Sequence, residues 1–153
     1  MNKIFIRELD AIKRDLFALA AEIEKRMDAV FAAIGRHDAA KLLEIIASDR
    51  EIDLREIEIE EECLKVLALH QPVARDLRFV VAVMKINNDL ERIADILANI
   101  ADRGCRLEKY RETDLMDLIR RMGALATEML RQRLACLLAL AVAQAVEVLT
   151  RGG

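Results

Sequence analysis

From Leu9 to Ile34 the chain places an apolar residue every three or four positions: Leu9, Ile12, Leu16, Leu19, Ile23, Met27, Val30 and Ile34. A half-buried strand would alternate with period two. This spacing instead predicts one long helix, packed nearly antiparallel to a neighbour along that seam. Little interrupts such patterns elsewhere, because the 153 residues include one proline and five glycines. No run of alternating β-branched residues is bounded by turn chemistry, and a chain 54% hydrophobic and 33% charged with few aromatics reads as helical throughout. The length suffices for one domain with a real core. The expected fold is all-α, an antiparallel helical bundle.

The breakers divide the chain into four helices. Gly35-Arg36-His37 is the first turn, with Gly35 suited to the C-cap and Asp38 to the next N-cap. A second helix is expected over 39–69, ending at "LHQP". Pro72 then suits the first turn of a third helix, where its missing N–H costs nothing. That helix runs to about Arg103 and is stopped by Gly104; a fourth starts near Thr113 and continues to Leu149. Short connections make these antiparallel neighbours. A shift of 103 residues pairs Met27 with Leu130, Phe31 with Leu134, Ile34 with Leu137 and Leu43 with Val146, the mark of an internal repeat.

Several function classes are excluded or disfavoured. A net charge of -3 argues against a nucleic-acid binder held by counterion release. Cys63, Cys105 and Cys136 are odd in number and form no C-x-x-C, which suits a thiol-reducing compartment. MNKIFIRELD lacks the apolar core of a signal peptide, and the apolar stretch 134–149 is shorter than the roughly 20 residues of a membrane span. The expected location is cytoplasmic. No Gly-rich phosphate loop, nucleophile elbow or Ser/His/Asp set is present, so no catalytic constellation is expected.

The informative segment is "DREIDLREIEIEEEC", residues 49–63. At about 100° per residue, Asp49, Asp53, Glu56 and Glu60 fall within roughly 60° of one another. Ile45, Ile52 and Ile59 lie on one flank, Ile57 and Leu64 on the other, and Leu42 and Leu67 share the stripe at its ends. These acids therefore interrupt an apolar face. Like charges four residues apart repel, and partial burial raises the cost. A divalent or trivalent cation would offset it with hard oxygen ligands. The third helix offers a second half in "NNDLERIADILANIAD": Glu91 and Asp95 repeat the i, i+4 spacing, with Asn88 and Asp102 on the same side. A helix hairpin can bring Asp49 and Asp53 to Glu91 and Asp95 as a four-donor wall for a metal. The plainer alternative is ion pairing to Arg50, Arg55 and Arg92.

Residues 71–101, "QPVARDLRFVVAVMKINNDLERIADILANIA", resemble the first repeat of the PhoU family of phosphate-transport regulators. The family's Q-P-x-A-x-D-L-R segment is matched by Gln71, Pro72, Ala74, Asp76, Leu77 and Arg78. Its L-E-R-I-G-D and N-I-A segments are matched by Leu90, Glu91, Arg92, Ile93 and Asp95, then Asn99, Ile100 and Ala101. Ala94 stands where the family usually has glycine. The resemblance covers about 4–103. It implies three-helix-bundle repeats that bind metal clusters through E(D)-x-x-x-D motifs, which fall here on Asp49/Asp53 and Glu91/Asp95. The metal so implied is iron first, with zinc, manganese or magnesium as alternatives.

The resemblance also divides the chain into a PhoU-like three-helix repeat, 1–106, and the start of a second, incomplete repeat, 107–153, carried by a long apolar helix. Where that second repeat should turn, the chain has Leu138-Ala139-Leu140, so the helix should run straight through. Left uncovered, it should seek burial in a homodimer. The function implied is a non-enzymatic negative regulator of phosphate uptake, a metal-binding adaptor between the phosphate ABC transporter's ATPase and a PhoR-type sensor kinase, reaching the membrane only through partners. Asn88 and Glu60 are weaker metal candidates. The alternative is a metal-free helical oligomerisation module. Among the remaining residues, His37 and His70 read as surface or capping groups, and Cys63 and Cys136 as small core residues. Arg75, Arg78, Arg103 and Arg106 form either a docking surface or, more simply, solvated charge.

Overall fold

The computed structural model describes the backbone of residues 3–107 and 113–151, and side chains within 3–107 and 115–136. Five helices follow in order: α1 (Lys3–Gly35), α2 (Ala39–Ala47), α3 (Asp49–His70), α4 (Ala74–Arg106) and α5 (Thr113–Arg151). Among the described residues there is no strand. α1 is the central helix and packs on all four others. Each seam residue from Leu9 to Ile34 is buried. α3 and α4 form an antiparallel hairpin on it, and α4 buries its own seam of Val80, Val83, Asn87, Leu90, Ala94, Leu97 and Ala101. Main-core side chains such as Leu16, Leu19, Ile23, Val66 and Leu97 are almost wholly removed from water, each contributing roughly 1.5–3 kcal/mol of transfer free energy. A smaller cluster of Val30, Ile34, Leu42, Ile45 and Ala101 anchors α2.

The expected second helix is two helices. It breaks at Ser48, which ends α2 and precedes α3. The Ser48 hydroxyl donates back to the Ile45 carbonyl at 3.0 Å, a bond that competes with regular helix and bends it. Arg26 of α1 then donates to the Ser48 carbonyl and hydroxyl at 3.0 and 3.1 Å, fixing the bend. A serine is a weak breaker, so the partner on α1 decides the outcome. As a result the acidic helix starts at Asp49.

Other boundaries shift for local reasons. Asp38 caps α2 as expected, accepting from the Lys41 N–H at 3.0 Å. The left-handed residue of that turn is His37 (φ 54°), while Gly35 is the last residue of α1. Pro72 lies before the Val73 N-cap rather than inside α4, and Gln71 (φ 45°) ends α3. Gly104 does not stop α4, which continues to Arg106. A Cβ at 104 would sit 2.8 Å from Ile34 Cγ1 and 3.0 Å from Leu42 Cδ1, so this glycine lets α4 approach α1 and α2 closely. α5 runs without a break through 138–140. It crosses α1 at Gly123, where an added Cβ would lie 2.3 Å from the Phe31 ring.

Candidate metal centre

On α3 the buried residues are Ile52, Ile59, Cys63 and Val66. The acids Asp49, Asp53, Glu56 and Glu60 lie roughly 80° round from that line, toward α4. Only one of the two expected apolar flanks is buried: Ile57 and Leu64 are exposed. The acidic stripe thus edges the core instead of interrupting it, because α4 covers one shoulder of α3 and leaves the other to water. Asp49, Asp53 and Glu56 are half-buried there, and Glu60 is exposed.

The hairpin brings Asp95 across to this stripe. Carboxylate oxygens of Asp49, Asp53 and Asp95 all lie within 4.8 Å of one another. Oxygens bound to one cation at roughly 2.0–2.6 Å can be no further apart than about 4–5 Å, so the three donors fit a single hard ion. Glu91 adjoins them one helical turn before Asp95, and its carboxyl interacts with that of Asp95. Three of the four expected ligands therefore converge, with the fourth held against one of them. Asn88 is exposed, and Asp102 pairs with Arg106 at 2.9 Å.

The electrostatics match a site built against charge repulsion. Burial is the main cause raising the Asp49 carboxyl above its ordinary value; Asp53 and Asp95 add to it and Arg26 opposes it. Glu56 is raised by burial, then by Glu60 and Asp53. Glu91 is raised by burial, then by its hydrogen bond and charge contact with Asp95 and by Glu56 and Asp53. All three hold their protons more tightly than free carboxylates, as expected where negative charges share little solvent.

Two residues of this region were not among the candidates. Arg26, nearly buried on α1, pairs with Asp49 at 3.0 Å, a role the sequence reading gave to Arg50, Arg55 or Arg92. Its sequence signal was its place at seam spacing between Ile23 and Val30. Asn87 rather than Asn88 faces inward, at 1% exposure, and its Nδ2 donates to the Glu56 carbonyl at 2.9 Å. Its Oδ1 is buried with no hydrogen-bond partner among the described residues. It too lies on a seam, between Val83 and Leu90.

The other singled-out residues resolve simply. His70 meets Glu8 at 2.5 Å and packs near the Phe5 ring, tying the end of α3 to the start of α1. Cys63 is a core residue, and burial pushes its thiol up to about 11. Cys136, expected in the core, is exposed because α5 turns other residues toward α1. Arg78, Arg103 and Arg106 are exposed. No helix among the described residues is long and apolar enough to cross a membrane.

Comparison with known proteins places this geometry in context. A family model described as the PhoU domain matches residues 16–104. A phosphate-specific transport system accessory protein PhoU homolog of Deinococcus radiodurans is 37% identical over 130 residues, 84% of this chain and 61% of the relative. The phosphate-specific transport system accessory protein PhoU of Escherichia coli K12 is 32% identical over 108 residues, 69% of this chain and 43% of the relative. The crystal structure of PhoU from Pseudomonas aeruginosa superposes with a TM-score of 0.82 at 31% identity, covering 92% of this chain and 70% of that one. The chain thus spans about half of the length of these curated relatives.

Proposed function

The chain belongs to the PhoU family, and on that footing we propose that it is a non-enzymatic, metal-binding negative regulator of phosphate uptake. In this reading it works in the cytoplasm, as a homodimer, between the ATPase of the phosphate transporter and a PhoR-type sensor kinase. The relatives' names, accessory proteins of phosphate-specific transport, support the regulatory role. The observation that carries the metal reading is the convergence of Asp49, Asp53 and Asp95 from two helices within 4.8 Å. Asp49, Asp53 and Asp95 would hold the ion with Glu91 beside them; iron is the first candidate, then zinc, manganese or magnesium. A bound cation supplies fixed positive charge, not reactivity. Its consequence for this chain is to lock α3 against α4 and so set the shape that a partner meets. The division into a first repeat over 1–106 and a second starting at 107 belongs to the same reading.

One observation favours a second reading. Arg26 already pairs with Asp49 at 3.0 Å, and that charge supports a cluster without an ion, as part of a metal-free assembly module. Elemental analysis separates the two. Purified protein and an Asp53→Asn, Glu91→Gln double variant are dialysed without chelator and their metal content compared. Near-stoichiometric iron, zinc or manganese in the parent and none in the variant is the expected result. No metal in either, with both folded and helical, would overturn the metal reading.

A further inference from the structure

The buried seam of α4 runs Val80, Val83, Asn87, Leu90, Ala94, Leu97 and Ala101, and its one polar member is Asn87, 1% exposed. The facing seam of α3 is interrupted in the same way: between buried Ile52 and Ile59 stands Glu56, half-buried. The two interruptions meet. Asn87 Nδ2 donates to the Glu56 carbonyl at 2.9 Å, while the Glu56 carboxylate lies further off, at 3.5 Å. The acids of the candidate centre begin one helical turn from this contact, Asp53 three residues before Glu56 and Glu91 four after Asn87.

Stability does not account for this amide. The Glu56 carbonyl sits in mid-helix, where the backbone already supplies its bond, and Asn87 Oδ1 has no hydrogen-bond partner among the described residues. A leucine there would continue the seam without a desolvated amide. What a leucine lacks is direction. Apolar contact is non-directional, so a seam of Val, Leu and Ala sets which side of α4 faces inward and leaves its fine rotation soft. Rotating α4 by about 20° sweeps a carboxylate roughly 5–6 Å from the helix axis through about 2 Å. Asp49, Asp53 and Asp95, whose oxygens lie within 4.8 Å of one another, cannot absorb that and still share one ion. Nor can the Asn87 bond, which therefore resists the rotation. A buried asparagine that fixes the geometry between two helices at a cost in stability acts in this way.

We propose that Asn87 is a positioning residue: its bond to the Glu56 backbone pins the rotation of α4 on α3 and so keeps Asp95 opposite Asp49 and Asp53. The consequence for a bound cation rests on the metal reading above; the pin itself does not.

The test compares the parent with Asn87→Leu, and with Asn87→Val as the variant that does not overpack the seam. Nitroxide labels at Glu58→Cys and Lys85→Cys, both exposed, report the α3–α4 distance by pulsed EPR in chelator, with Cys105→Ser and Cys136→Ser and the buried Cys63 kept. One narrow distance is expected in the parent. Both variants should show a broadened or displaced distance, with helical circular dichroism retained and Tm unchanged or higher. Without labels, their manganese affinity should fall roughly 10–100-fold, the usual loss when a group that orients metal ligands is removed. A bond serving stability alone would give the reverse, a lower Tm with distance and affinity kept, and that result overturns the proposal. An unchanged distance in both variants overturns it at any Tm. Variants that bind manganese as tightly as the parent overturn the positioning of the ion. A parent that takes up no manganese removes the metal reading, and the distances alone then decide the pin.

Discussion

Replacing Arg26 by methionine tests whether α1 stabilises the acidic helix by charge. In the parent, the Arg26 guanidinium lies 3.0 Å from Asp49 and 3.0 Å from the Ser48 carbonyl, with 5% of the side chain exposed. Methionine fills much of the arginine's aliphatic volume, so the cavity cost is small. The charge cost is larger. Removing one member of a buried ion pair costs about 3–5 kcal/mol, because the other member is left uncompensated. Asp49 keeps 20% side-chain exposure, which favours the lower end. The Ser48 carbonyl also keeps its bond from the Glu51 N–H. A loss of about 3 kcal/mol is therefore expected, or a Tm lower by roughly 6–12 °C for a domain of this size. The assay is thermal unfolding followed by circular dichroism in chelator. Repeated with manganese, the same scan should show the gap narrowing, since a bound cation takes over the neutralisation of Asp49. A variant within about 1 kcal/mol of the parent in chelator would refute the claim that Arg26 offsets the acidic cluster.

Gly123→Ala adds a Cβ 2.3 Å from the Phe31 ring; overpacking of about 1–3 kcal/mol should outweigh a helix-propensity gain of about 1, lowering Tm. Gly35→Ala meets nothing within 4 Å, so its Tm should hold or rise, and equal Tm values for the two variants would show that the close crossing at Gly123 is not rigid. Asp49, Glu56 and Glu91 all have raised carboxyls, so through them the folded chain binds more protons than the unfolded one from the ordinary values of 3.8 and 4.5 upward. Stability contributed this way falls as pH rises through that window, so chelated protein should gain Tm when taken from about pH 7 to about pH 5, and saturating metal should remove the gain.

Repetition along one helix was legible without a structure. The seam Leu9–Ile34 marked α1 as one long helix packed along that line, because burying it is the main free-energy term available to it; that α1 is central came from the structure. The i, i+4 acids were equally legible, since 49/53 and 91/95 share faces by helical geometry alone. Gly104 was misread for the opposite reason. Its use lies in the Ile34 and Leu42 side chains that pack over it, and neither is near it in sequence.

What tertiary structure decided was which shoulder of each helix is covered. The break at Ser48 depends on Arg26, 22 residues earlier. Burial of Asn87 rather than Asn88 depends on how α4 is rotated against α3, an angle set by the whole seam. Cys136 is exposed and Cys63 buried, although both lie on apolar stripes, because α1 covers one of those stripes and not the other. By itself the sequence determined the long helical segments and the i, i+4 pairing of acids along them, which follow from a 3.6-residue period within one segment. The charge balance at the acidic cluster arises from where separate helices meet, and long-range packing is the physical term that local periodicity does not contain.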